Sequence, residues 1–168
     1  KEIRQFFAPS LAPVDKLRLD LQEIWPSGST LENLHGRLMF CGLTRLFKAG
    51  SYALPHTDVT HLDVPESRSA WSLQTQFAAN IYLQPAVKGG GLELWSEKVD
   101  SKEEFDALSL PNSYGLDRDK IGNSSVVLFP AAGDLIIFDA RRIHAVHEIE
   151  EGNRLSSSCF IGYRGLTE

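Results

Sequence analysis

The sequence has few cysteines and no long hydrophobic run, and each shortage excludes a class of protein. Cys41 and Cys159 are the only cysteines among 168 residues, which excludes a disulfide-stapled scaffold and predicts buried, reduced thiols in a cytoplasmic protein. No apolar stretch approaches the roughly 20 residues of a membrane-spanning helix, so we expect no membrane partner. The net charge is −5 and the basic residues are scattered, which disfavours a nucleic-acid partner.

The composition that remains is typical of one folded domain. Hydrophobic residues make up 42% of the chain and charged residues 23%, which is enough apolar surface for a core. We therefore predict a single domain over residues 1–168. The sequence begins at Lys1 rather than at methionine and shows no targeting segment, so we expect a trimmed form of a longer chain.

Hydrophobic periodicity predicts one helix followed by many short strands. Residues 13–25 fit a helix, because Pro13 suits a first turn and apolar residues recur at intervals of three and four. We expect this helix, within residues 1–36, to flank a β core over residues 37–165. The candidate strands are 37–47, 51–56, 74–83, 91–96, 125–129, 134–139, 144–149 and 154–163. Eight strands without an intervening helix predict a mainly β fold, a double-stranded β-helix or jelly roll.

The segment 97–124 interrupts the strand pattern. It is polar and would be long for a structureless connection within a compact domain. We predict an insertion that serves as a lid or binding loop over the mouth of the barrel, with a solvated surface excursion as the alternative.

A His-x-Asp motif at His56 and Asp58 follows the second candidate strand. Residues i and i+2 of an extended strand point to the same side, so both side chains can converge on one ion. A third ligand must come from another strand, and His144 is the candidate. Two imidazoles and one carboxylate on one face of an octahedron suit a non-haem Fe(II) site with open positions.

His147 competes with His144 for the third position. Their odd spacing places them on opposite faces of a strand, so only one can point inward. We prefer His144 because it lies ten residues before Arg154, whereas His147 would make Arg164 the candidate partner for a carboxylate. His61 and His35 are predicted to be surface histidines.

A hairpin closed by residues 150–153 would place residue 144 opposite residue 159. Arg154 would then lie five residues along its strand, roughly 16 Å from that point at about 3.3 Å per residue. This separation leaves room for a short dicarboxylate between His144 and Arg154.

The order His56-x-Asp58, then His144, then Arg154-x-Ser156 resembles the Fe(II)- and 2-oxoglutarate-dependent dioxygenases, over roughly residues 37–165. The resemblance implies that His56, Asp58 and His144 bind iron and form the catalytic centre, with 2-oxoglutarate and O2 as co-substrates. It also implies that Arg154 pairs with the far carboxylate of 2-oxoglutarate, since its planar fork meets a carboxylate bidentately. Ser156 would add a hydroxyl donor.

Asn80 and Tyr82 share a face of the third candidate strand. If that face is the inner one, we expect them to contact 2-oxoglutarate, and core packing with a satisfied amide is the alternative. Arg141 and Arg142 are candidates for binding an anionic substrate at the mouth.

The resemblance implies hydroxylation of an aliphatic C–H bond, with release of succinate and CO2. Asp58 favours hydroxylation because related halogenases lack this carboxylate, although desaturation and demethylation use the same ligands. The run 133–165 is similar to bacterial hydroxylases of free or N-substituted amino acids, so we expect a small-molecule substrate. Three alternatives remain open: a prolyl-hydroxylase-type protein hydroxylase, a non-catalytic cupin-like binding domain, and an oxygen-independent isomerase or lyase. The sequence leaves the oligomeric state open.

Overall fold

The structure is a computed structural model that describes residues 2–99 and 101–165. Its helices are α1 (Glu2–Phe7), α2 (Pro13–Ile24), α3 (Thr60–Asp63), α4 (Arg68–Trp71), α5 (Lys102–Leu108) and α6 (Arg118–Ile121). Its strands are β1 (Asn33–Leu34), β2 (Arg37–Leu38), β3 (Leu43–Lys48), β4 (Ala53–His56), β5 (Thr75–Gln84), β6 (Lys88–Gly89), β7 (Leu92–Lys98), β8 (Val126–Leu128), β9 (Leu135–Asp139), β10 (Arg142–Val146), β11 (Ile149–Glu151) and β12 (Asn153–Tyr163). The predicted fold class, mainly β with a flanking N-terminal helix, is confirmed.

Two four-stranded antiparallel sheets carry the core of the fold. One has the order β4-β10-β7-β8 and the other the order β3-β12-β5-β9. We call the first the histidine sheet, because His56 and His144 lie on it, and the second the arginine sheet, because Arg154 lies on it. Phe138 of the arginine sheet contacts His144 of the histidine sheet with ring centroids 4.9 Å apart, so the two sheets face each other across an interior.

The predicted hairpin between residues 144 and 159 is wrong. β10 pairs with β4 and β7, whereas β12 pairs with β3 and β5. The predicted strand 144–149 is split, because residues 149–151 leave β10 and pair with β6 instead. The chain therefore crosses from one sheet to the other before β12 begins, as jelly-roll connections do.

Helix α2 covers the outer face of the arginine sheet. Its residues Val14 and Leu17 pack against Ala79 and Ile81 of β5. These β5 residues have odd numbers, so the even-numbered residues of the same strand point to the interior between the sheets. Beside this helix lie Cys41 and Cys159, which are partly buried free thiols. Within the described part of the chain, no helix has the length and apolar character to cross a membrane.

The segment between β7 and β8 packs on the outer face of the histidine sheet. Ile143 and Ala145 of β10 form a buried cluster with Trp95, Val99 and Leu116. Side chains from α5 and α6 add to this cluster from the solvent side. Since neighbouring residues of a strand face opposite ways, this packing directs His144 to the interior.

Candidate functional site

His56 and His144 are direct partners across the β4–β10 ladder. Their ring centroids are 4.3 Å apart. His56 Nδ1 lies 2.7 Å from the carbonyl oxygen of Leu54, and His144 Nδ1 lies 2.9 Å from that of Arg142. A carbonyl oxygen only accepts, so each Nδ1–H donates, and Nε2 is the ring nitrogen that faces the other residues of the cluster. A hydrogen bond from Nδ1 orients the imidazole, and it is typical of histidines that bind a metal through Nε2.

Asp58 completes a cluster with the two free Nε2 atoms. Its Oδ2 lies 3.2 Å from His144 Nε2 and 3.9 Å from His56 Nε2. The three ligand atoms lie within 4.8 Å of one another. Ligands about 2.1 Å from an ion are roughly 3 Å apart when adjacent, so this cluster can close on one divalent ion. We call it the candidate metal centre.

The electrostatics of the candidate metal centre also fit a cation. Burial, and then the neighbouring His144, lower the pKa of His56, which keeps its imidazole neutral. Burial alone would raise the pKa of Asp58, but the contact with His144 and the nearby imidazoles and Arg45 outweigh it and lower this pKa. An ionised carboxylate beside two imidazole Nε2 atoms is a donor set that suits a divalent cation, which takes the place of protons at these atoms.

The position of Asp58 depends on backbone contacts beyond the end of β4. Its N–H donates to the carbonyl of Ala140 at 2.9 Å, and its own carbonyl accepts from Gln76 Nε2 at 3.0 Å. Gln76 Oε1 in turn accepts from the backbone N–H and the hydroxyl of Thr60, at 3.1 and 2.6 Å. Gln76 is only 4% exposed. Through these hydrogen bonds it holds both Asp58 and Thr60, the two ends of the short loop that follows β4. No sequence pattern distinguishes Gln76, because it appears as one polar position of an alternating strand.

Replacing Gln76 with leucine is expected to weaken Fe(II) binding by about 10- to 100-fold, the usual cost of losing a residue that orients a ligand. The loop from Asp58 to Thr60 would lose its anchor while the three ligands stay present. An anaerobic competition titration with a chromophoric chelator measures the effect. Gln84→Leu is the matched control, because Gln84 lies on the same strand and is exposed. Equal Fe(II) affinities of the two variants would contradict the prediction.

The insertion reaches the candidate metal centre through Tyr114. Its hydroxyl accepts from the N–H of Leu54 at 3.0 Å, and its ring centroid lies 5.8 Å from that of His56. Leu116 N–H also donates to the carbonyl of Pro55 at 2.7 Å. Sequence reasoning did not single out Tyr114, although it placed substrate contacts in this insertion.

Arg154 lies on the inner face of the arginine sheet and is 4% exposed. It donates to the Tyr82 hydroxyl at 3.3 Å, and its guanidinium carbon lies 4.9 Å from the Tyr82 ring and 5.4 Å from the Phe47 ring. Among the described residues, its buried Nε has no hydrogen-bond partner, and no carboxylate forms an ion pair with its guanidinium. A buried cation without a counter-charge fits the binding of an anion. We call the space around the Arg154 guanidinium, beside Tyr82 and Phe47, the candidate co-substrate pocket.

A glycine lets the backbone approach this pocket. Gly90 has a φ of +70°, and a Cβ there would lie 2.6 Å from Ile149 Cδ1 and 3.5 Å from Arg154 Cδ. Both the left-handed backbone and the close approach favour glycine. Gly90 therefore forms part of one wall of the pocket.

The other predicted co-substrate residues lie on the same face as Arg154. Ser156 is opposite Tyr82, and Ser158 is opposite Asn80, in the β12–β5 ladder. Directly opposite residues face the same side of a sheet. The structure thus brings Arg154, Ser156, Tyr82 and Asn80 onto one surface, and their contacts with 2-oxoglutarate stay a prediction.

Arg141 and Arg142 are engaged by protein groups. Arg141 donates to both carboxylate oxygens of Asp139, at 3.0 and 3.1 Å, and to the carbonyl of Gln74 at 2.8 Å. Burial would raise the pKa of Asp139, but hydrogen bonds from Arg141 and Lys98 lower it to about 2. Arg142 donates to the carbonyl of Ser96. Their predicted role in substrate binding stays a prediction.

The alternative ligand and the alternative carboxylate partner lie away from the candidate metal centre. His147 Nε2 lies 3.0 Å from Glu93 Oε1, within a cluster that includes Arg118. Arg164 pairs with Glu32 at 2.6 Å. His144 is therefore the histidine that the structure brings to His56 and Asp58, the one that its ten-residue spacing from Arg154 favoured.

The surface histidines lie among other partners. His35 Nε2 is 3.2 Å from Glu66. The His61 ring packs against Trp71 with centroids 4.4 Å apart.

Known proteins resemble this chain in sequence and fold. It is 33% identical over 160 residues to Leucinostatins biosynthesis cluster protein S of Purpureocillium lilacinum, covering 89% of this chain and 63% of that protein. It is 26% identical over 164 residues to L-gamma-glutamyl-L-propargylglycine hydroxylase of Streptantibioticus cattleyicolor, covering 95% of this chain and 59% of that protein. The chain therefore spans about three fifths of the length of these relatives.

A solved structure shares the fold. The N-substituted L-amino acid dioxygenase from Burkholderia ambifaria AMMD superposes with a TM-score of 0.57 at 18% sequence identity, covering 76% of this chain and 52% of that one.

The family comparison covers the residues that carry the site. The model of the family described as "2OG-Fe(II) oxygenase superfamily" matches residues 41–162. This range contains the whole candidate metal centre and the candidate co-substrate pocket. The cofactor of this superfamily is Fe(II), and its co-substrates are 2-oxoglutarate and O2. The chain belongs to the 2OG-Fe(II) oxygenase superfamily.

Proposed function

We propose that this chain is the catalytic domain of a dioxygenase that hydroxylates an aliphatic C–H bond of a small molecule of the amino-acid class. The observation that carries the proposal is the convergence of His56 Nε2, His144 Nε2 and Asp58 Oδ2 within 4.8 Å, facing a sheet with a buried, unpaired arginine. A metal at three protein ligands keeps open positions for a co-substrate and for O2.

When bound, Fe(II) supplies the redox chemistry by which O2 and 2-oxoglutarate convert C–H to C–OH, with succinate and CO2 as the other products. The chain's own residues orient the reactants. His56, Asp58 and His144 hold the ion, and Arg154 holds the far carboxylate of 2-oxoglutarate. Tyr82 and Phe47 keep the guanidinium in place and exclude water from its ion pair, which strengthens it.

The substrate class rests on the relatives. One acts on L-gamma-glutamyl-L-propargylglycine, by its name, and the structural neighbour is named for N-substituted L-amino acids. Both names describe small molecules that carry amino-acid groups. The free thiols Cys41 and Cys159 support a cytoplasmic location as part of this proposal.

The proposal is tested by anaerobic titration of the apo protein with Fe(II) and then with 2-oxoglutarate. We expect one Fe(II) per chain and a weak visible charge-transfer band when 2-oxoglutarate chelates it. Admission of O2 should then release succinate, and amino-acid derivatives should be screened for those that accelerate the release.

Other outcomes would favour other functions. Iron binding without the band would favour a cupin-like binding domain. Turnover of a substrate without O2 and without succinate would favour an isomerase or lyase.

A further inference from the structure

Arg45 lies on the inner face of the arginine sheet, at its edge strand β3. It is opposite Ser156 in the β3–β12 ladder, and Phe47 is opposite Arg154. Phe47 packs against the Arg154 guanidinium, so Arg45, two residues earlier, shares that inner face. Unlike Arg154, Arg45 is exposed to solvent.

In the described part of the chain, the Arg45 guanidinium binds a hydroxyl group rather than a carboxylate. Its Nη1 donates to the Ser158 hydroxyl at 2.8 Å. Across residues 2–99 and 101–165, no ion pair to a carboxylate involves Arg45. Arg141 and Arg142, which the sequence suggested for an anionic substrate, are by contrast engaged by Asp139 and by the carbonyl of Ser96.

The ladders of the arginine sheet give Arg45 a position between the two halves of the site. Successive inward-facing rows are roughly 6.6 Å apart, since a strand rises about 3.3 Å per residue. The first row holds Arg154, the second Arg45 with Ser156, and the third Ser158 with Asn80.

The fourth row contains Phe138, which contacts His144 of the candidate metal centre. The Arg45 guanidinium leans towards the third row, because it donates to Ser158. It therefore points away from Arg154 and towards the end of the barrel that holds the candidate metal centre.

We propose that Arg45 binds the carboxylate of the substrate and thereby fixes which carbon faces the iron. The inference rests on the proposed function and deepens it by naming a specificity residue. A guanidinium matches a carboxylate with two parallel hydrogen bonds, and the Ser158 hydroxyl keeps the fork in one orientation. 2-Oxoglutarate also carries carboxylates. The test therefore distinguishes binding of Arg45 to the substrate from binding of Arg45 to 2-oxoglutarate.

The test compares the parent, Arg45→Gln and Lys48→Gln. Lys48 is the matched control because it lies on the same strand, is exposed, and belongs to the opposite face by alternation. The probes are L-amino acids and N-acetyl-L-amino acids, each paired with its primary amide, which keeps the side chain but removes the charge. The readouts are the shift of the visible band of the anaerobic Fe(II)–2-oxoglutarate enzyme and, after O2 is admitted, succinate release.

In the parent and in Lys48→Gln, we expect at least one acid to shift the visible band. The matching amide should leave the band unchanged in both proteins. Arg45→Gln should bind that acid roughly 10- to 100-fold more weakly, as expected for a lost hydrogen bond between charged groups. It should bind 2-oxoglutarate as the parent does, and Arg45→Lys should recover part of the acid binding.

Three results would overturn the inference. The first is a parent band that no acid shifts, or that acids and amides shift equally. The second is unchanged acid binding in Arg45→Gln, and the third is loss of the 2-oxoglutarate band in that variant, which would assign Arg45 to the co-substrate. Absence of the band in the parent would instead reject the proposed function on which the inference rests.

Discussion

Replacing His144 with glutamine is expected to remove Fe(II) binding at the candidate metal centre and to abolish succinate formation. His144 is 6% exposed, and its Nε2 lies 3.2 Å from Asp58 Oδ2, so no other histidine can take its position without moving the strand. Loss of a residue that only orients a ligand already costs about 10- to 100-fold in affinity. Loss of a ligand should therefore exceed roughly 100-fold. Anaerobic titration with Fe(II), followed by succinate detection, measures both effects.

His147→Gln is the matched control for this variant. It removes an imidazole three residues along the chain that contacts Glu93 on the outer side of the histidine sheet. We expect its Fe(II) affinity to equal that of the parent, with at most a small loss of stability from the ion pair. Loss of iron in His147→Gln and its retention in His144→Gln would contradict the assignment.

Replacing Arg154 with glutamine is expected to weaken 2-oxoglutarate binding by about 2–5 kcal/mol, or roughly 30- to 4000-fold. This is the usual cost of removing one partner of a buried, hydrogen-bonded charge pair. Fe(II) affinity should stay unchanged, because Arg154 lies on the other sheet from His56 and His144. The visible band measures 2-oxoglutarate affinity directly, and it should appear only at high 2-oxoglutarate concentration.

Arg164→Gln provides the comparison for Arg154. Arg164 lies just beyond the same strand but pairs with Glu32, so its loss should leave the 2-oxoglutarate affinity at the parental value. Arg154→Lys should fall between the parent and Arg154→Gln, since an ammonium keeps the charge but not the bidentate geometry. Parental affinity in Arg154→Gln would remove Arg154 from the co-substrate pocket.

Local patterns in the sequence predicted much of this arrangement. Alternation along a strand separates His144 from His147, and it does so independently of which strand is the neighbour. Short strands between turn residues were likewise enough for the mainly β fold class, because turn chemistry and strand periodicity are local properties.

Features that depend on contacts between distant segments were not predictable. The pairing of residue 144 with residue 159 was wrong because sequence proximity favours a hairpin, whereas closure of the barrel sends the two strands to different sheets. Gln76 was missed for the same reason, since its partners Asp58 and Thr60 lie 16 or more residues away. Sequence analysis favoured Arg141 and Arg142 for an anionic substrate and did not single out Arg45. The ion pair of Arg141 with Asp139 and the unpaired charge of Arg45 become visible only when the strands are assembled.

The edge position of β4 has a consequence for how the protein acquires its ion. β4 is the terminal strand of the histidine sheet, and it carries His56 and leads directly to Asp58. Local opening of a short segment costs less free energy than unfolding of a whole domain, so we expect metal exchange to need only local fraying of these four residues. The contacts of Tyr114 and Leu116 with this strand oppose the fraying. We therefore expect the barrel to set how tightly the ion is held and the insertion to set how quickly it is exchanged.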